Sequence, residues 1–402
     1  MEAVIFGRHD EQTIRQFQQC LQKGNVRGGV LCADGHYGYS QPVGGVVAYE
    51  GQVAPSGVGY DIACGNKAVK TNLQYEDVKD SMPIIMDEVA RRISFGIGRK
   101  NKERIDHDVF DDPRWDVLKE IGTQEHDVLK KLAYEQLGTV GAGNHFVDIF
   151  VEEKTGDIWV ANHFGSRGFG HKVASGFLNL AKNRSFLGPN RGESMEQAPT
   201  ILSLDDERGQ LYMEAMKLAG AYAYAGRDVV IDEVLDILGA SAVDTIHNHH
   251  NFAWEEEHFG ETFVVVRKGA TPSAPGQRGF IGGSMGDISV IVEGKDNDHN
   301  RASWQSTVHG AGRIMSRTEA AGKMNWKTRR RSGGKISEQE MRKKVAALGV
   351  ELRGGGADES PFVYRPLREV LEAHEHTINI LHELRPIGVA MAGANEFDPY
   401  KD

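Results

Sequence analysis

Cysteine is scarce in this sequence. The 402 residues include only three, Cys20, Cys32 and Cys64, and all lie near the N-terminus. An odd and small number of cysteines does not form a disulfide framework, and free thiols persist best in a reducing compartment. A chain of this length also buries enough apolar surface to fold without crosslinks. We therefore expect a cytoplasmic protein whose cysteines are core residues or metal ligands.

Long apolar runs and targeting signals are absent as well. No stretch approaches the roughly 20 apolar residues that a membrane helix requires, and the first residues lack the basic and then apolar pattern of a signal peptide. The sequence also has no G-x-x-x-x-G-K-[ST] motif and no clean G-x-G-x-x-G after a strand. We therefore expect no membrane partner, and a nucleotide would have to be held by something other than a P-loop or a Rossmann fold.

Proline is uncommon, with 12 residues, whereas glycine is abundant, with 48. The glycines stand inside apolar or histidine-rich stretches, so they indicate tight turns and close backbone contacts, not a flexible linker. Strands and helices mix without regular β-α-β alternation, which predicts an α+β fold, and we expect a single large domain over residues 1–402. The predicted elements are strands over 28–68 with a hairpin within 44–55, helices over 75–97 and 116–137, strands over 137–161, a helix over 203–238 broken near Gly220 and Gly226, strands over 261–268 and 281–293, and a mostly helical tail over 336–384 interrupted at 353–356.

The net charge is negative, at −10 with neutral histidine, which argues against a protein that coats nucleic acid non-specifically. One segment departs from this balance. Residues 323–344 contain nine lysines and arginines but only two glutamates. Such a charge run is usually a solvated helix face, but it is also the patch of this chain that would attract a polyanion most strongly.

A first candidate ligand pair lies in the sequence YDIACG at 60–65, where a carboxylate and a thiol stand three residues apart. Asp61 offers a hard oxygen, and Cys64 offers a soft thiolate that can bridge two cations. A cysteine in an apolar, glycine-rich stretch is more often a small core residue. A metal site therefore requires imidazoles from elsewhere in the chain.

Four histidine motifs supply those candidates, and each stands beside glycine or asparagine. A single histidine of this kind is more often a hydrogen-bonded core or surface residue. Four such motifs together with Asp-x-x-Cys favour a metal centre, and the mixture of imidazole, carboxylate and thiolate suits Mn, Zn or Fe, with Mn favoured if the site faces phosphates. The motifs are GNHF at 143–146, NHFGSRGFGH at 162–171, HNHHN at 247–251 and HGAGR at 309–313.

Two glycine-rich turns are candidates for binding an anion. GGSMG at 282–286 and HGAGR at 309–313 can each expose several backbone N–H groups, as phosphate-binding nests do. An ordinary pair of tight turns would have the same composition. The residues alone leave both interpretations open.

Taken together in this order, the motifs resemble the RtcB family of GTP-dependent RNA ligases. The resemblance begins near residue 34, continues to about 317, and is extended in the tail by Tyr364 and by LRPIGV at 384–389, so it covers nearly the whole chain. The combination of YDIxCG, GNHF and HGAGR is far more specific than any one short motif. The matching stretches are DGHYGYSQPVGGVVAY, GVGYDIACG, LGTVGAGNHF, NHFGSRGFGH, HHNFAWEEEHFGE, VVRKGAT, GSMG and HGAGRIMSR.

The resemblance implies an enzyme that joins RNA 3′-phosphate or 2′,3′-cyclic phosphate ends to 5′-hydroxyl ends, with two Mn(II) ions and GTP. His309 matches the family's guanylylated histidine, and Cys64 would bridge the two ions. His247 and His249 would be structural. An activating helper protein is a further partner in such a system. The implied metal ligands are Asp61, Cys64, His145, His163 and His250.

The implied nucleotide site includes positions where this chain departs from the family pattern. Gly282 stands where the family's nucleotide turn begins with proline, and Asp148 stands where glutamate is usual. The family's near-terminal Lys-Gly pair is also missing, because the residues before Gly393 are Met391 and Ala392. A tail residue such as Lys401 would then have to take over the role of that lysine. The implied nucleotide contacts are Asn144, Asp148, Asn251, Gly282, Gly283, Ser284, Met285, Ser289, Gly310, Ala311, Gly312 and Tyr364.

Two other functions remain open from the sequence. A divergent paralogue would bind RNA 3′-phosphate ends, or cap them with a nucleotide, without sealing them. A dinuclear metallohydrolase is a weaker alternative. The presence of His309 together with all five implied ligands favours the ligase.

Overall fold

The computed structural model describes residues 2–101, 103–190, 192, 194–325, 327, 330–394 and 396. Parts of the basic segment at 323–344 and most of the tail after 394, including Lys401, therefore lie outside the described residues. The strands are β1 (Glu2–Ile5), β2 (Val26–His36), β3 (Val43–Tyr49), β4 (Gln52–Val53), β5 (Gly65–Gln74), β6 (Phe146–Glu152), β7 (Asp157–Phe164), β8 (Leu202–Ser203), β9 (Ala242–His249), β10 (Asn251–His258), β11 (Glu261–Lys268), β12 (Ala270–Pro272), β13 (Arg278–Ile281), β14 (Ser289–Gly294), β15 (Ser306–Val308), β16 (Lys323–Asn325), β17 (Arg330–Ser332), β18 (Glu351–Gly355) and β19 (Ile378–Gly393).

Helices are mixed with these strands along the whole chain, so the predicted α+β class is confirmed. No helix among the described residues is both long and apolar enough to cross a membrane. The helices are α1 (Glu11–Leu21), α2 (Pro55–Val58), α3 (Tyr75–Val78), α4 (Met82–Arg92), α5 (Trp115–Ile121), α6 (Thr123–Gln136), α7 (Arg167–Ala181), α8 (Glu207–Leu238), α9 (Asp298–Ala302), α10 (Arg317–Ala321), α11 (Glu338–Ala347) and α12 (Leu367–Glu372).

The largest sheet has the order β13-β14-β19-β6-β7-β5-β9, and β18 runs parallel to β19. Strand β5 is antiparallel to both β7 and β9, and β6 is antiparallel to β7. The beginnings of β5 and β6 therefore lie beside the ends of β7 and β9. In the register, Gly65 faces both Phe164 and His249, and Phe146 faces His163. Three histidine motifs and the Asp61–Cys64 turn thus meet at one edge of this sheet.

A second sheet has the order β1-β2-β3-β11-β10, and its strands continue into the same region. Strand β2 carries Asp34, and β11 ends at Lys268. A short ladder then pairs β12 with β15, directly before His309. The fourth histidine motif therefore follows the separate β12–β15 ladder, which begins directly after β11 of the second sheet.

The long helix α8 is continuous from Glu207 to Leu238, so the predicted break near Gly220 and Gly226 is wrong. Glycine lowers helix propensity, but tertiary packing overrides it here. A Cβ on Gly220 would lie only 2.9 Å from the ring of Phe252, so the glycine is needed for close packing and does not mark a break.

Other element boundaries also differ from the prediction. The helix predicted over 75–97 is two helices, α3 and α4, and that over 116–137 divides at Gly122 into α5 and α6. The hairpin predicted within 44–55 does not form, because β3 pairs with β2 and β11 while β4 pairs with β8. The tail is not mostly helical, since β19 pairs with β14 and β6 over much of its length. The part of β19 that overlaps the predicted tail, residues 378–384, has no regular alternation of buried and exposed positions, so the local pattern did not identify it as a strand.

Candidate metal centre and nucleotide cavity

The Asp61–Cys64 turn is held in place by its own backbone and by the third histidine motif. The Cys64 N–H donates to Asp61 O at 3.1 Å, and Ala63 adopts a φ of 60°. The His250 N–H donates to Cys64 O at 2.8 Å, which ties the two motifs together. Gly65 then enters β5 so close to β9 that a Cβ would overlap the Asn248 carbonyl. Only glycine fits at this position.

Two groups of potential ligand atoms share the sulfur of Cys64. One group is Cys64, His163 and His250, the other is Asp61, Cys64 and His145, and within each group the ligand atoms lie within 4.8 Å of one another. Cys64 Sγ is 3.1 Å from His163 Nε2 and 3.7 Å from His145 Nε2. His145 Nε2 is also 3.0 Å from Asp61 Oδ2. This arrangement suits two cations bridged by one thiolate.

The charges of these groups fit cation binding. Burial, followed by the nearby Asp61 carboxylate, raises the pKa of the Cys64 thiol well above its usual value. Burial would also raise the pKa of Asp61, but its hydrogen bond to His145 and the charges of His145 and Arg167 lower it overall. Asp61 is thus ionised, whereas the Cys64 thiol would lose its proton only when a cation binds. A bound metal ion would therefore supply the positive charge that this pair of side chains lacks.

Two of the candidate imidazoles, His163 and His250, are held in the neutral form that binds cations. Burial, and then neighbouring cationic groups, lowers the pKa of both His163 and His250 well below the usual value. The Nδ1 atoms of His145 and His250 are buried and have no hydrogen-bond partner among the described residues. Neutral imidazole nitrogens are good ligands for Mn and Zn, so these side chains fit a divalent cation.

His309 lies beside this group and is oriented by Asp34, a residue that the motif analysis did not single out. The ring centroids of His250 and His309 are 4.9 Å apart. Asp34 is fully buried, and its Oδ2 accepts from the backbone N–H groups of His309 (2.9 Å) and Gly310 (3.2 Å) and lies 2.6 Å from His309 Nδ1. A carboxylate inside the apolar sequence GGVLCAD was the available signal.

The protonation state of this pair follows from Asp34. Burial alone would raise its pKa, but the charge of His309 and the hydrogen bonds lower it below its usual value. An ionised carboxylate only accepts, so the proton of a neutral His309 is on Nδ1. His309 Nε2 then carries the lone pair.

A cavity of about 890 Å³ connects His309 with the candidate ligands and with the nucleotide residues that the resemblance implies. Asp61, Cys64, His163 and His250 line it, whereas His145 does not. Gly282 pairs with Gly310, so the two glycine turns lie side by side. The implied nucleotide residues that line the cavity are Asn144, Asp148, Asn251, Gly282, Gly283, Ser284, Met285, Gly310, Ala311, Gly312 and Tyr364.

Three of the implied nucleotide residues have distinct surroundings. Ser289 lies outside the cavity lining, and its hydroxyl accepts from the Gly283 N–H at 3.0 Å. Asn251 uses both ends of its amide within the protein, donating to Asp61 O (3.2 Å) and accepting from the Gly269 N–H (2.6 Å). Burial raises the pKa of Asp148 well above its usual value, and its Oδ1 has no partner among the described residues. Asp148 therefore lines the cavity as a carboxyl group whose proton is held more tightly than usual.

Two arginines on the HGAGR side of the cavity were also missed. Arg313 Nη1 donates to Tyr364 OH at 2.9 Å, and its Nη2 donates to Asp358 O at 2.8 Å. Arg317 and Tyr364 both bond to the carboxylate of Glu359. Both arginines line the cavity, where guanidinium groups can bind phosphate oxygens.

Comparisons with known proteins agree with the motifs. The family described as "tRNA-splicing ligase RtcB" matches residues 19–392. The chain is similar to "tRNA-splicing ligase RtcB" of Thermococcus kodakarensis, with 30% identity over 95% of this chain and 93% of that protein. It is also similar to "RNA-splicing ligase RtcB" of Escherichia coli strain K12, with 31% identity over 88% of this chain and 87% of that protein. The chain therefore belongs to the RtcB family.

Proposed function

We propose that this protein is an RNA ligase that joins 3′-phosphate or 2′,3′-cyclic phosphate ends to 5′-hydroxyl ends in RNA splicing or repair. It would use GTP and pass through a covalent His309–GMP intermediate. Membership in a family whose similar members are named RNA-splicing and tRNA-splicing ligases supports the reaction class.

One observation carries the proposal more than any other. His309, oriented by a buried carboxylate, opens into the same cavity as Asp61, Cys64, His163 and His250. A nucleophile next to a cluster of cation ligands is what phosphoryl or nucleotidyl transfer requires.

The first step follows from the tautomer of His309. Its Nε2 attacks the α-phosphorus of GTP, an N–P bond forms, and the bond to pyrophosphate breaks. The imidazole becomes positively charged, and the Asp34 carboxylate at 2.6 Å from Nδ1 stabilises that charge. Asp34 thus both selects the reactive nitrogen and favours the charged product.

Asp61, Cys64, His145, His163 and His250 would hold two Mn(II) ions, with Cys64 bridging them. When bound, the ions would neutralise negative charge on the phosphates as the transfer proceeds. Gly310 and Gly312 leave room for the nucleotide next to the backbone; at Gly312 the φ of 73° and the Asp34 backbone also exclude a side chain.

The second and third steps consume the intermediate. An oxygen of the RNA 3′-phosphate attacks the phosphorus of the bound GMP, and the N–P bond to His309 breaks. The 5′-hydroxyl of the other RNA then attacks the activated 3′-phosphorus, loses its proton, and releases GMP. Arg313 and Arg317 line the cavity, and their cationic side chains would hold these phosphates.

A sealing assay tests the proposal. Two RNAs, one with a 3′-phosphate and one with a 5′-hydroxyl, are incubated with the protein, GTP and Mn(II), and the joined product is measured on a gel. We expect product with the wild-type protein and none with His309→Ala or without GTP. Capped 3′ ends without joined product would instead identify the non-sealing paralogue, and hydrolysis of the 3′-phosphate alone would identify a metallohydrolase.

A further inference from the structure

Arg227 is a buried arginine on α8 that belongs to no motif of the proposed reaction. Its side chain has no exposed surface. Burying a guanidinium is costly unless all its donors are satisfied. Each of its three nitrogens donates at least one hydrogen bond: to Ala63 O (3.0 Å), Phe164 O (2.7 Å), His247 Nε2 (2.9 Å) and His249 Nδ1 (2.9 Å).

Three of these four acceptors belong to residues that directly precede or follow a metal-ligand candidate in the sequence. The three ligands concerned come from three different strands or turns, and together they form one of the two ligand groups around the Cys64 sulfur. A single guanidinium therefore connects all three segments. Ala63 precedes Cys64, Phe164 follows His163, and His249 precedes His250.

A further bond fixes Arg227 itself relative to β7. The buried side chain of Asn162, which precedes His163, donates from Nδ2 to Arg227 O at 2.9 Å. The segment around His163 is thus held from both sides, through the backbone of Arg227 and through its side chain.

His247 and His249 have a role in this network. An arginine can only donate, so both histidines must present an unprotonated nitrogen to it. The ring of Tyr224 lies 4.2 Å from His247 and 4.0 Å from His249, which holds the two acceptors in place.

Arg227 differs from Arg267, another fully buried arginine, in the kind of acceptor that its side chain contacts. Arg267 forms a two-point ion pair with the carboxylate of Glu256, at 2.6 and 2.9 Å. Among the described residues, the hydrogen bonds of Arg227 reach only neutral acceptors. Its charge is directed at backbone beside the Cys64 turn, where a metal-bound thiolate would carry negative charge.

We infer that Arg227, supported by His247 and His249, is the positioning residue that sets the spacing of Cys64, His163 and His250 for cation binding. The inference rests on the metal centre of the proposed function. Lysine at this position retains the charge but offers three donors on one nitrogen, so it cannot reach four acceptors around a planar fork. The ligand segments would then lose their common anchor.

Cobalt(II) titration of the full chain tests this inference, because thiolate ligation of cobalt gives a strong near-ultraviolet absorption that reports on Cys64 directly. The comparison is between wild type, Arg227→Lys and Arg267→Lys, the last being a matched buried arginine away from the ligands. We expect Arg227→Lys to bind cobalt about 10–100-fold more weakly, as is typical when a group that orients metal ligands is lost. Arg267→Lys should bind as wild type does, even if it melts at a lower temperature.

Two outcomes would overturn the inference. One is a folded Arg227→Lys protein with wild-type cobalt affinity, and the other is an equal loss in Arg267→Lys, which would attribute the effect to general core destabilisation. If Arg227→Lys does not fold, the test uses His249→Phe, which removes the hydrogen-bond acceptor next to His250. Weaker cobalt binding by this variant would support the inference, and unchanged binding would overturn it. A wild-type protein without the thiolate absorption would contradict the metal centre instead, which separates the two failures.

Discussion

The His309 imidazole depends on one buried carboxylate. Asp34 Oδ2 contacts the ring nitrogen and two backbone N–H groups, so it fixes both the position of the ring and the tautomer. The chemistry assigned to His309 therefore requires a residue that lies 275 positions away in the sequence.

Replacing Asp34 with asparagine removes the negative charge of this side chain and keeps its size and shape. In Asp34→Asn, the amide oxygen can still accept from the backbone, but the positive charge that forms on His309 is no longer stabilised. We expect the rate of GMP transfer to the protein to fall roughly a hundredfold or more. The bound metal, measured by mass spectrometry, should be unchanged. Transfer at the wild-type rate would show that the carboxylate does not assist His309.

Cys64 is the second residue on which the account depends, because its sulfur is the only atom shared by the two ligand groups. In Cys64→Ser, a hydroxyl that loses its proton much less readily replaces the thiol. We expect loss of Mn(II) binding and of all activity. Cys20→Ser is the control, since the buried Cys20 thiol donates to the Ser40 carbonyl at 3.3 Å and belongs to neither ligand group. Two equivalents of Mn(II) bound to Cys64→Ser with normal affinity would rule out a bridging thiolate.

The residue-level predictions differ in how far the sequence supports them. Asp61 and Cys64 lie in one short turn, so their proximity follows from local sequence. The proximity of His163 and His250 to Cys64 depends on strand pairing, which the residues alone do not specify and which the family resemblance supplied. Asp34 was missed because its partner, His309, lies 275 positions away, so no local pattern in the sequence pairs the two residues. The metal and nucleotide roles themselves remain predictions.

At the level of elements, helix α8 shows that two glycines in one helix have different roles. A Cβ on Gly226 would make ordinary contacts, the closest at 3.4 Å to the Phe164 ring, whereas one on Gly220 would crowd the ring of Phe252. We expect Gly226→Ala to stabilise the protein by about 0.5–1 kcal/mol through helix propensity. Gly220→Ala should destabilise it, and urea unfolding measures both. Equal effects of the two substitutions would contradict this assignment.

Strand β19 determines what occupies the place of the missing lysine. Met391 lines the cavity, whereas Ala392, which points to the other face of the strand, does not. A charge-assisted hydrogen bond is worth about 1.5–3 kcal/mol. We therefore expect Met391→Lys to raise the apparent affinity for GTP by about tenfold or more. The same substitution should strengthen the preference for GTP over ATP. The measurement is covalent labelling over a titration of each nucleotide.

Ala392→Lys is the matched control and should leave nucleotide affinity unchanged. A chain truncated after Gly393 tests whether the tail supplies a substitute cation. Tight labelling by GTP alone in the wild type, unchanged by the truncation, would show that neither a lysine on β19 nor the tail sets selectivity.

The element predictions failed where tertiary contacts outweigh local pattern. The run of valines in ETFVVVRK identified β11, whereas the first residues of β19, INILHEL, have neither such a run nor a regular alternation of buried and exposed positions. Gly220 suggested a break in α8 because the sequence around it does not show why a glycine is needed there. The reason is the ring of Phe252, which packs against Gly220 from β10, a strand that is distant in the sequence. In both cases the missing information is the partner across the interface, not the residue itself.

At the scale of the whole molecule, two sheets deliver their functional residues to one cavity. The first sheet brings the ligand groups together, the second brings Asp34, and the separate β12–β15 ladder brings His309. Since neither sheet completes the site alone, we propose that the chain acts as a single catalytic domain. The α+β class was predictable from composition and pattern, whereas the convergence of the sheets depends on long-range strand order.

The most direct test of the account is covalent labelling. The protein is incubated with Mn(II) and GTP labelled at the α-phosphate, the acid-labile adduct is digested, and the labelled residue is located by mass spectrometry. We expect one GMP on His309, no label from GTP labelled at the γ-phosphate, and no label in His309→Ala despite unchanged metal content. Labelling that persists in a folded, metal-containing His309→Ala protein would contradict it.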